Sequence, residues 1–475
     1  MIDRADLESL ARIVGPENLI TSRNKLEAYT TDGTKLVYTP DGVVFPNSTE
    51  ETADILSLAA ARGFPVIPRG AGTGMSGGSL PVNGGLVLSL EHMNRILEID
   101  RENLVAKVEP GVITAHLQEA VEKVGLFYPP DPASIHISTI GGNVAECAGG
   151  LRAVKYGVTR DYVLGLTIVL PTGEIIRTGV ETMKGVAGYD ITHLIVGSEG
   201  TLAVVTAITL RLLPKPETCR TMLAFFTDVS EAVLTVTSII HRGIIPTILE
   251  FMDRVCLDSI REHMEIPIPA DAGAMLLMEV DGDSLSVEQG SRKIQEVCEE
   301  RRAISFEKAS TPEEAERLWQ ARREISPSLY KLRPHKTSED VVVPRSRLPE
   351  LISALHELSA RYDLPLPAFG HAGDGNIHVN IMHDKDNPRE REKVVPLVRE
   401  LFERVLQMGG TITGEHGIGI TKAPYLEMEI PKPGLELMIR IKKAFDPKGI
   451  LNPGKIFPTC SHQDCCPIGL SDTPN

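Results

Sequence analysis

Histidines and a carboxylate are concentrated in two short, glycine-punctuated stretches, Ala368-Phe-Gly-His-Ala-Gly-Asp-Gly-Asn-Ile-His-Val-Asn-Ile381 and Gly410-Thr-Ile-Thr-Gly-Glu-His-Gly-Ile-Gly419. The first reads as a strand, a tight turn and a second strand, so His371 can fold back beside His378. Ile377, Val379 and Ile381 alternate with His378 and Asn380, giving that strand an apolar side for a core and a polar side for something else. A lone strand histidine is more often a hydrogen-bonded structural residue than a ligand. Here the pair is followed by Glu415 and His416, set between glycines that permit strained backbone and close approach. Two histidines and a carboxylate suit zinc, iron or manganese, with a position open to a substrate oxygen. Spacing alone does not settle that use.

A second concentration of chemistry is the glycine-rich run Pro68-Arg-Gly-Ala-Gly-Thr-Gly-Met-Ser-Gly-Gly-Ser-Leu80. Gly72-x-Gly74-x-x-Gly77 matches the dinucleotide fingerprint letter for letter, but that motif needs a helix after it to aim its amino terminus at a pyrophosphate. Pro81, Gly84 and Gly85 forbid one, which rejects a nicotinamide-cofactor reading. Successive N–H groups of a glycine loop still form an anion-binding concavity, while a mobile surface loop explains the same composition. A further small-residue stretch runs from Pro129-Pro-Asp-Pro-Ala-Ser134 through Ser138-Thr-Ile-Gly-Gly-Asn143 to Ala148-Gly-Gly150. Two such loops can clasp one extended cofactor.

The elements that must position these residues exceed one core, since 475 residues imply two large lobes. Residues 42–68 read as strand, helix, strand, the second strand at 64–67, with a capping box at Ser48-Thr-Glu-Glu51 and an apolar helix face at Ile55, Leu56, Leu58 and Ala59. Short β-type runs follow at 86–90, 104–108, 163–170, 175–177 and 202–212, with a hairpin turn at Pro171-Thr-Gly-Glu174. Pro214 and Pro216 break the pattern, and the stretch 213–218 is read as a domain boundary. Beyond it, strands alternate with amphipathic helices predicted at 230–241, 284–300, 312–331, 347–361 and 388–408, then 434–445.

Composition narrows the function classes. With 42% hydrophobic and 24% charged residues the chain is ordinarily globular, and its net charge of −15 repels polyanions, so nucleic acid is not an expected partner. No run reaches the ~18 apolar residues of a membrane span, and Met1-Ile-Asp-Arg-Ala-Asp is too charged for a signal peptide. A cytoplasmic location is expected, peripheral to the membrane only through a partner. Seven cysteines at 147, 219, 256, 298, 460, 465 and 466 follow no framework spacing, which argues for reduced thiols; without a C-x-x-C pair the last three are read as part of a flexible tail rather than an iron–sulfur site.

The two glycine-rich stretches, with Gly197-Ser-Glu-Gly-Thr-Leu202 and Asp446-Pro-Lys-Gly-Ile-Leu-Asn-Pro-Gly-Lys455, resemble the FAD-linked oxidases of vanillyl-alcohol oxidase type. Within them, the chain is similar to the branch of D-lactate dehydrogenases, D-2-hydroxyglutarate dehydrogenases and the glycolate oxidase flavin subunit, from about residue 20 to 457. The resemblance implies an α+β fold: an FAD-binding domain of two α+β subdomains at 1–215 and an α+β substrate domain on an antiparallel sheet at 216–410. A segment at 411–457 would complete the active site, before a tail at 458–475. It implies a pyrophosphate cradle at Arg69, Gly70, Ala71, Gly72, Thr73, Gly74, Ser76 and Gly77. Pro130, Ser134, Thr139, Gly142, Asn143, Ala145 and Gly149 would line the flavin, and Glu199, Gly200 and Asn452 would complete the pocket. Covalent relatives often carry a histidine in the first loop; residues 68–80 have none, so FAD is expected to be non-covalent.

By the same resemblance a divalent metal (Zn, Fe or Mn) sits on His371, His378 and Glu415, with Asn380 near it and His416 as base. Arg322, in Trp319-Gln-Ala-Arg-Arg-Glu-Ile325, is the carboxylate clamp and Lys336 a supporting cation. From the residues alone, surface ion pairing of Arg322 and Arg323 with Glu316 and Glu324 explains that helix as well. The activity implied is oxidation of a small D-2-hydroxy acid, D-lactate or glycolate. Electrons would pass to an iron–sulfur subunit, an electron-transferring flavoprotein or a quinone, and a homodimer is compatible with it. An oxygen-using oxidase, a flavin-carrying relay subunit and a transferase of the alkylglycerophosphate synthase kind are the alternatives on the same fold.

Overall fold

Ser48 starts the helix Thr49–Arg62 by accepting the Glu51 N–H at 3.1 Å, and Gly63 ends it at φ 77°. Only half of the expected capping box forms, because the Glu51 carboxylate turns to the N–H of Asn47 at 2.8 Å. In the computed structural model, which describes residues 2–263 and 265–457, this helix belongs to the first of two units. That unit takes the chain up to Gly149, Val158–Lys215 and the segment from Glu415; the second takes Gly150–Gly157 and Pro216–Gly414. The tail read at 458–475, with Cys460, Cys465 and Cys466, lies outside the described residues. Among the described residues no helix is long and apolar enough to cross a membrane.

The first unit opens with strands Leu19–Ile20 (β1), Gly42–Val44 (β2), Val66–Arg69 (β3) and Leu86–Ser89 (β4), in sheet order β1-β2-β4-β3. β2, β4 and β3 are parallel and β1 is antiparallel to β2. Ile55, Leu56 and Ala59 pack on Val66, Leu86 and Leu88 in one buried core. The strand expected at 64–67 lies two residues later, at 66–69, and includes Pro68, which β3 tolerates as the last strand of its sheet. Next in the chain come Ile96–Asp100 (β5), Val105–Val108 (β6), Leu126–Phe127 (β7), Val163–Val169 (β8), Ile175–Gly179 (β9), Val204–Arg211 (β10) and Leu213–Pro214 (β11). Five of them form an antiparallel sheet in order β5-β6-β10-β8-β9, while β7 pairs with β11.

The segment after Glu415 is tied to the first sheet: Leu451 bridges Val66, and the Asn452 N–H reaches the Val66 carbonyl at 2.8 Å. Asp446, buried, fixes the turn by accepting from Ile450 N–H at 3.1 Å, Leu451 N–H at 2.9 Å and Lys442 Nζ at 2.6 Å. Removing it orphans two buried donors and takes the carboxylate from the partly buried Lys442 ammonium, which keeps the carbonyls of Thr201 and Leu451. Asp446→Ala is therefore expected to cost about 3 kcal/mol, read as a thermal midpoint several degrees lower. An unchanged melting curve would show that the anchor lies elsewhere.

The second unit is built on Thr218–Phe226 (β12), Ile248–Asp253 (β13), Ala274–Gly282 (β14), Ser305–Lys308 (β15), His335–Val342 (β16), Ala368–His371 (β17) and Asn376–His383 (β18). They form an antiparallel sheet in order β15-β12-β14-β13-β17-β18-β16. Helices occupy Val229–His241, Ser284–Glu300, Pro312–Ser328, Leu348–Tyr362 and Pro388–Gln407, each within a few residues of its predicted span. The helix Arg254–Ile260 escaped the sequence reading; it packs Cys256, Leu257 and Ile260 with Leu318, Ala321 and Ile325 of the helix Pro312–Ser328. On β18, His378 and Asn380 are buried as Ile377 and Val379 are.

Residues 150–157 join this unit through Asp281. The Lys155 ammonium pairs with its carboxylate, the Tyr156 hydroxyl donates at 2.9 Å and the Thr247 hydroxyl at 2.6 Å.

Candidate active site

In the first unit the chain after β3 runs as an extended loop with no helix, and it forms one wall of a cleft of about 530 Å3. Arg69, Gly70, Ala71, Gly72, Thr73 and Gly74 line it, with Ser134, Thr139, Gly142, Asn143, Ala145, Gly149, Glu199, Gly200, Glu415 and His416. The Arg69 guanidinium is held by the Thr31 carbonyl at 2.8 Å and the Ser79 hydroxyl at 3.2 Å. A Cβ at Gly72, where φ is 68°, would stand 2.1 Å from that guanidinium, so this glycine is required by its surroundings.

The second glycine stretch is a helix, Ile140–Glu146, where a loop was expected. Thr139 caps it by accepting the Gly142 N–H at 3.2 Å, and Ile140 and Val144 are buried beneath it. Cap and burial outweigh the poor helix propensity of two glycines. Gly141 is needed for another reason, since its Cβ would meet Pro110 at 2.5 Å.

Four residues expected on the cleft do not line it, and each holds a wall from behind. The Ser76 carbonyl accepts the Ile420 N–H at 2.8 Å, and Gly77 leaves room for the Ile420 side chain, which its Cβ would meet at 2.5 Å. Pro130 offers its carbonyl to Gln118 at 2.9 Å, and Asn452 bonds the carbonyls of Gly78 at 2.9 Å and Glu199 at 2.8 Å. Glu199, at φ 52°, accepts the N–H groups of Ile418 at 2.8 Å and Gly419 at 2.7 Å. The turn after His416 is thereby fixed to the cleft floor.

In the second unit, cross-strand register does the assembling. Glu250 on β13 faces His371 on β17, and Phe369 on β17 faces His378 on β18. The two imidazoles stand edge to face with centroids 5.2 Å apart, and a ring nitrogen of each lies within 4.8 Å of the other. Glu250, fully buried, accepts from His371 Nδ1 at 2.5 Å through one oxygen and from Arg322 Nε at 2.6 Å through the other. Burial alone would raise its carboxyl, but the charges of His371 and Arg322 outweigh it and hold the group at about 2. With Nδ1 committed to Glu250, Nε2 is the His371 atom suited to an ion. Behind His378, Asp340 Oδ1 is 3.9 Å from Nδ1.

Arg322 therefore does not pair along its own helix; Arg323 is the residue that pairs with Glu316. The Arg322 guanidinium lies over Phe369 at 4.5 Å. Lys336 donates to the Ser326 hydroxyl at 2.8 Å beside the Tyr330 ring, and Asn380 accepts from Ser338 at 3.1 Å. The Gly414 N–H is held by Asp340 Oδ2 at 2.9 Å, and the next residue, Glu415, already lines the cleft of the first unit. Glu250 is a residue of this cluster that sequence reasoning missed; its signal is a charged residue inside the buried run Ile248–Asp253.

A family model described as "FAD linked oxidases, C-terminal domain" matches residues 215–456, and one described as "FAD binding domain" matches residues 40–179. The chain is 48% identical over 458 residues to the glycolate oxidase subunit GlcD of Bacillus subtilis (strain 168), covering 96% of this chain and 97% of that one. It is 37% identical to a D-lactate dehydrogenase of Anaerostipes hadrus, covering 88% and 89%, and 32% identical to a D-2-hydroxyglutarate dehydrogenase of Stutzerimonas stutzeri, covering 96% and 100%. Among solved structures, p-cresol methylhydroxylase superposes with a TM-score of 0.77 at 17% identity, over 95% of this chain and 96% of that one, a likeness of fold. The fold is α+β of the vanillyl-alcohol oxidase type.

Proposed function

The chain belongs to the FAD-linked oxidases, and from that premise we propose that it oxidises a small D-2-hydroxy acid, D-lactate or glycolate, to the 2-oxo acid. Non-covalent FAD would occupy the cleft of the first unit, and a divalent ion of the zinc, iron or manganese kind would bind His371, His378 and Glu415. The observation that carries this reading is the single buried carboxylate of Glu250, which orients a candidate metal ligand, His371, and a cation suited to a substrate carboxylate, Arg322.

The residues fit both groups. The glycine-lined cleft has the size of a cofactor site, and residues 68–80 lack a histidine for covalent attachment. The histidine pair, one member backed by a carboxylate, has the donor set and outer support of a metal site. When bound, FAD supplies a two-electron acceptor and the ion supplies Lewis acidity at the substrate hydroxyl. Arg322 would take the carboxylate through its remaining N–H groups, with Lys336 as a second positive charge, so that one face of the substrate carbon is presented. His416 would accept the hydroxyl proton. The named relative is a subunit, which supports electron transfer onward to a separate protein, an iron–sulfur subunit or an electron-transferring flavoprotein, or to a quinone.

The test is anaerobic titration of the purified protein with D-lactate, L-lactate, glycolate and D-2-hydroxyglutarate, before and after chelation, following the oxidised flavin band near ~450 nm. Bleaching by glycolate or D-lactate that disappears with the chelator is the expected result. A flavin unresponsive to every acid would favour a relay subunit and sink the proposal; rapid oxygen consumption without another acceptor would favour an oxidase.

A further inference from the structure

Glu146 ends the helix Ile140–Glu146 and lines the same cleft. Its Oε2 is buried and has no hydrogen-bond partner, an uncommon state for a carboxyl oxygen. Glycines from two other segments make its room: a Cβ at Gly78 would come 3.0 Å from Oε1, and one at Gly417 would come 2.5 Å from Oε2. The ionisable groups facing it are Glu199, Asp32 and Lys455, and Glu415 and His416 line the same cleft. Glu199 is already satisfied by Ile418 and Gly419 N–H, and the Lys455 ammonium donates to the Leu80 carbonyl and Asn452 Oδ1. Burial, then Glu199 and Asp32, push the Glu146 carboxyl well above its ordinary range, and Lys455 only partly opposes them. A neutral carboxyl keeps a proton to donate, whereas an ionised one only accepts.

We propose that Glu146 is a cofactor-binding residue whose protonated carboxyl donates a hydrogen bond to an acceptor oxygen or nitrogen of FAD. The proposal rests on the reading of this cleft as the FAD site. FAD presents acceptors along its whole length, in ring carbonyls and nitrogens, ribityl hydroxyls and phosphates. An ionised Glu146 would repel the phosphates and could only accept, from hydroxyl or N–H groups, leaving the acceptors of FAD unmet. The neutral acid turns an unpartnered oxygen into a donor aimed into the cleft.

The experiment dilutes full-length holoenzyme and follows released FAD by its fluorescence, for wild type, Glu146→Gln and Glu146→Leu, at pH 6.5 and pH 9, alongside thermal melts. Leucine fills the space without a donor and is expected to weaken FAD binding about tenfold, while glutamine, whose amide donates, stays within about threefold. Raising the pH works against the proton, so any loosening of FAD between pH 6.5 and pH 9 should be larger in wild type than in Glu146→Gln. At equal free FAD, leucine should lower the melting temperature by no more than its tenfold weaker binding accounts for, about 1.4 kcal/mol; a merely structural residue would lower it further. Equal affinity for leucine and wild type at pH 6.5, or equal losses for glutamine and leucine, would overturn the proposal. A wild type that carries no FAD and takes up none would overturn the reading of the cleft, and the proposal with it.

Discussion

Replacing His371 by alanine is expected to lower hydroxy-acid turnover by about a thousandfold or more while FAD stays bound and oxidised. Lewis-acid stabilisation of a developing alkoxide is worth several kcal/mol, and about 4 kcal/mol corresponds to about 10³ in rate. The separation of effects follows from where the residues sit. His371 is on β17 of the second unit, and the cleft read as the FAD site is lined by residues of the first. Flavin content per chain should therefore equal that of wild type, while bleaching by substrate disappears and metal content drops. His378→Ala should behave alike. Retention of more than about a tenth of wild-type turnover by both variants would remove the metal from the mechanism.

The second large effect belongs to Glu250. Its carboxylate is fully buried and bonded on both oxygens, and the Arg322 side chain is only 17% exposed. Removing one partner of a buried ion pair costs about 3–5 kcal/mol, because the other charge is left without compensation. Loss of the carboxylate behind a metal-ligating histidine costs about 10–100-fold in metal affinity or activity. Glu250→Gln keeps the shape, so it should fold with a lowered melting temperature, bind metal more weakly and show a raised KM, since Arg322 loses its orientation. Added metal should restore part of kcat and none of the KM defect. A variant with normal KM and normal metal content would reduce Glu250 to a packing residue.

How much of this was legible depended on distance along the chain. The helix Ser284–Glu300 matched its predicted span because its apolar periodicity is local. The histidine hairpin was legible for the same reason: its turn and both strands lie within 368–383. Arg322 was misleading from its neighbours, because Glu316 and Glu324 were visible on its helix while its actual partner lies 72 positions away. Glu250 is 121 positions from His371, so no spacing rule could join them. Ile140–Glu146 was hidden by its glycines, whose freedom suggests a loop until the Thr139 cap and the buried Ile140 and Val144 are counted. Ser76, Gly77, Pro130 and Asn452 belong to the right motifs, but a motif does not say which of its side chains face inward and which brace the wall.

The crossing of residues 150–157 into the second unit bears on inheritance. The chain passes between the units at 149/150, 157/158, 215/216 and 414/415, so neither unit is one continuous stretch of gene. A single recombination between two homologous genes at the codon for Pro216 would swap most of the second unit, yet it would take Lys155 and Tyr156 from one parent and Asp281 from the other. Such a chimaera keeps the contact only when both parents carry these three residues, and it is expected to lose stability where they differ.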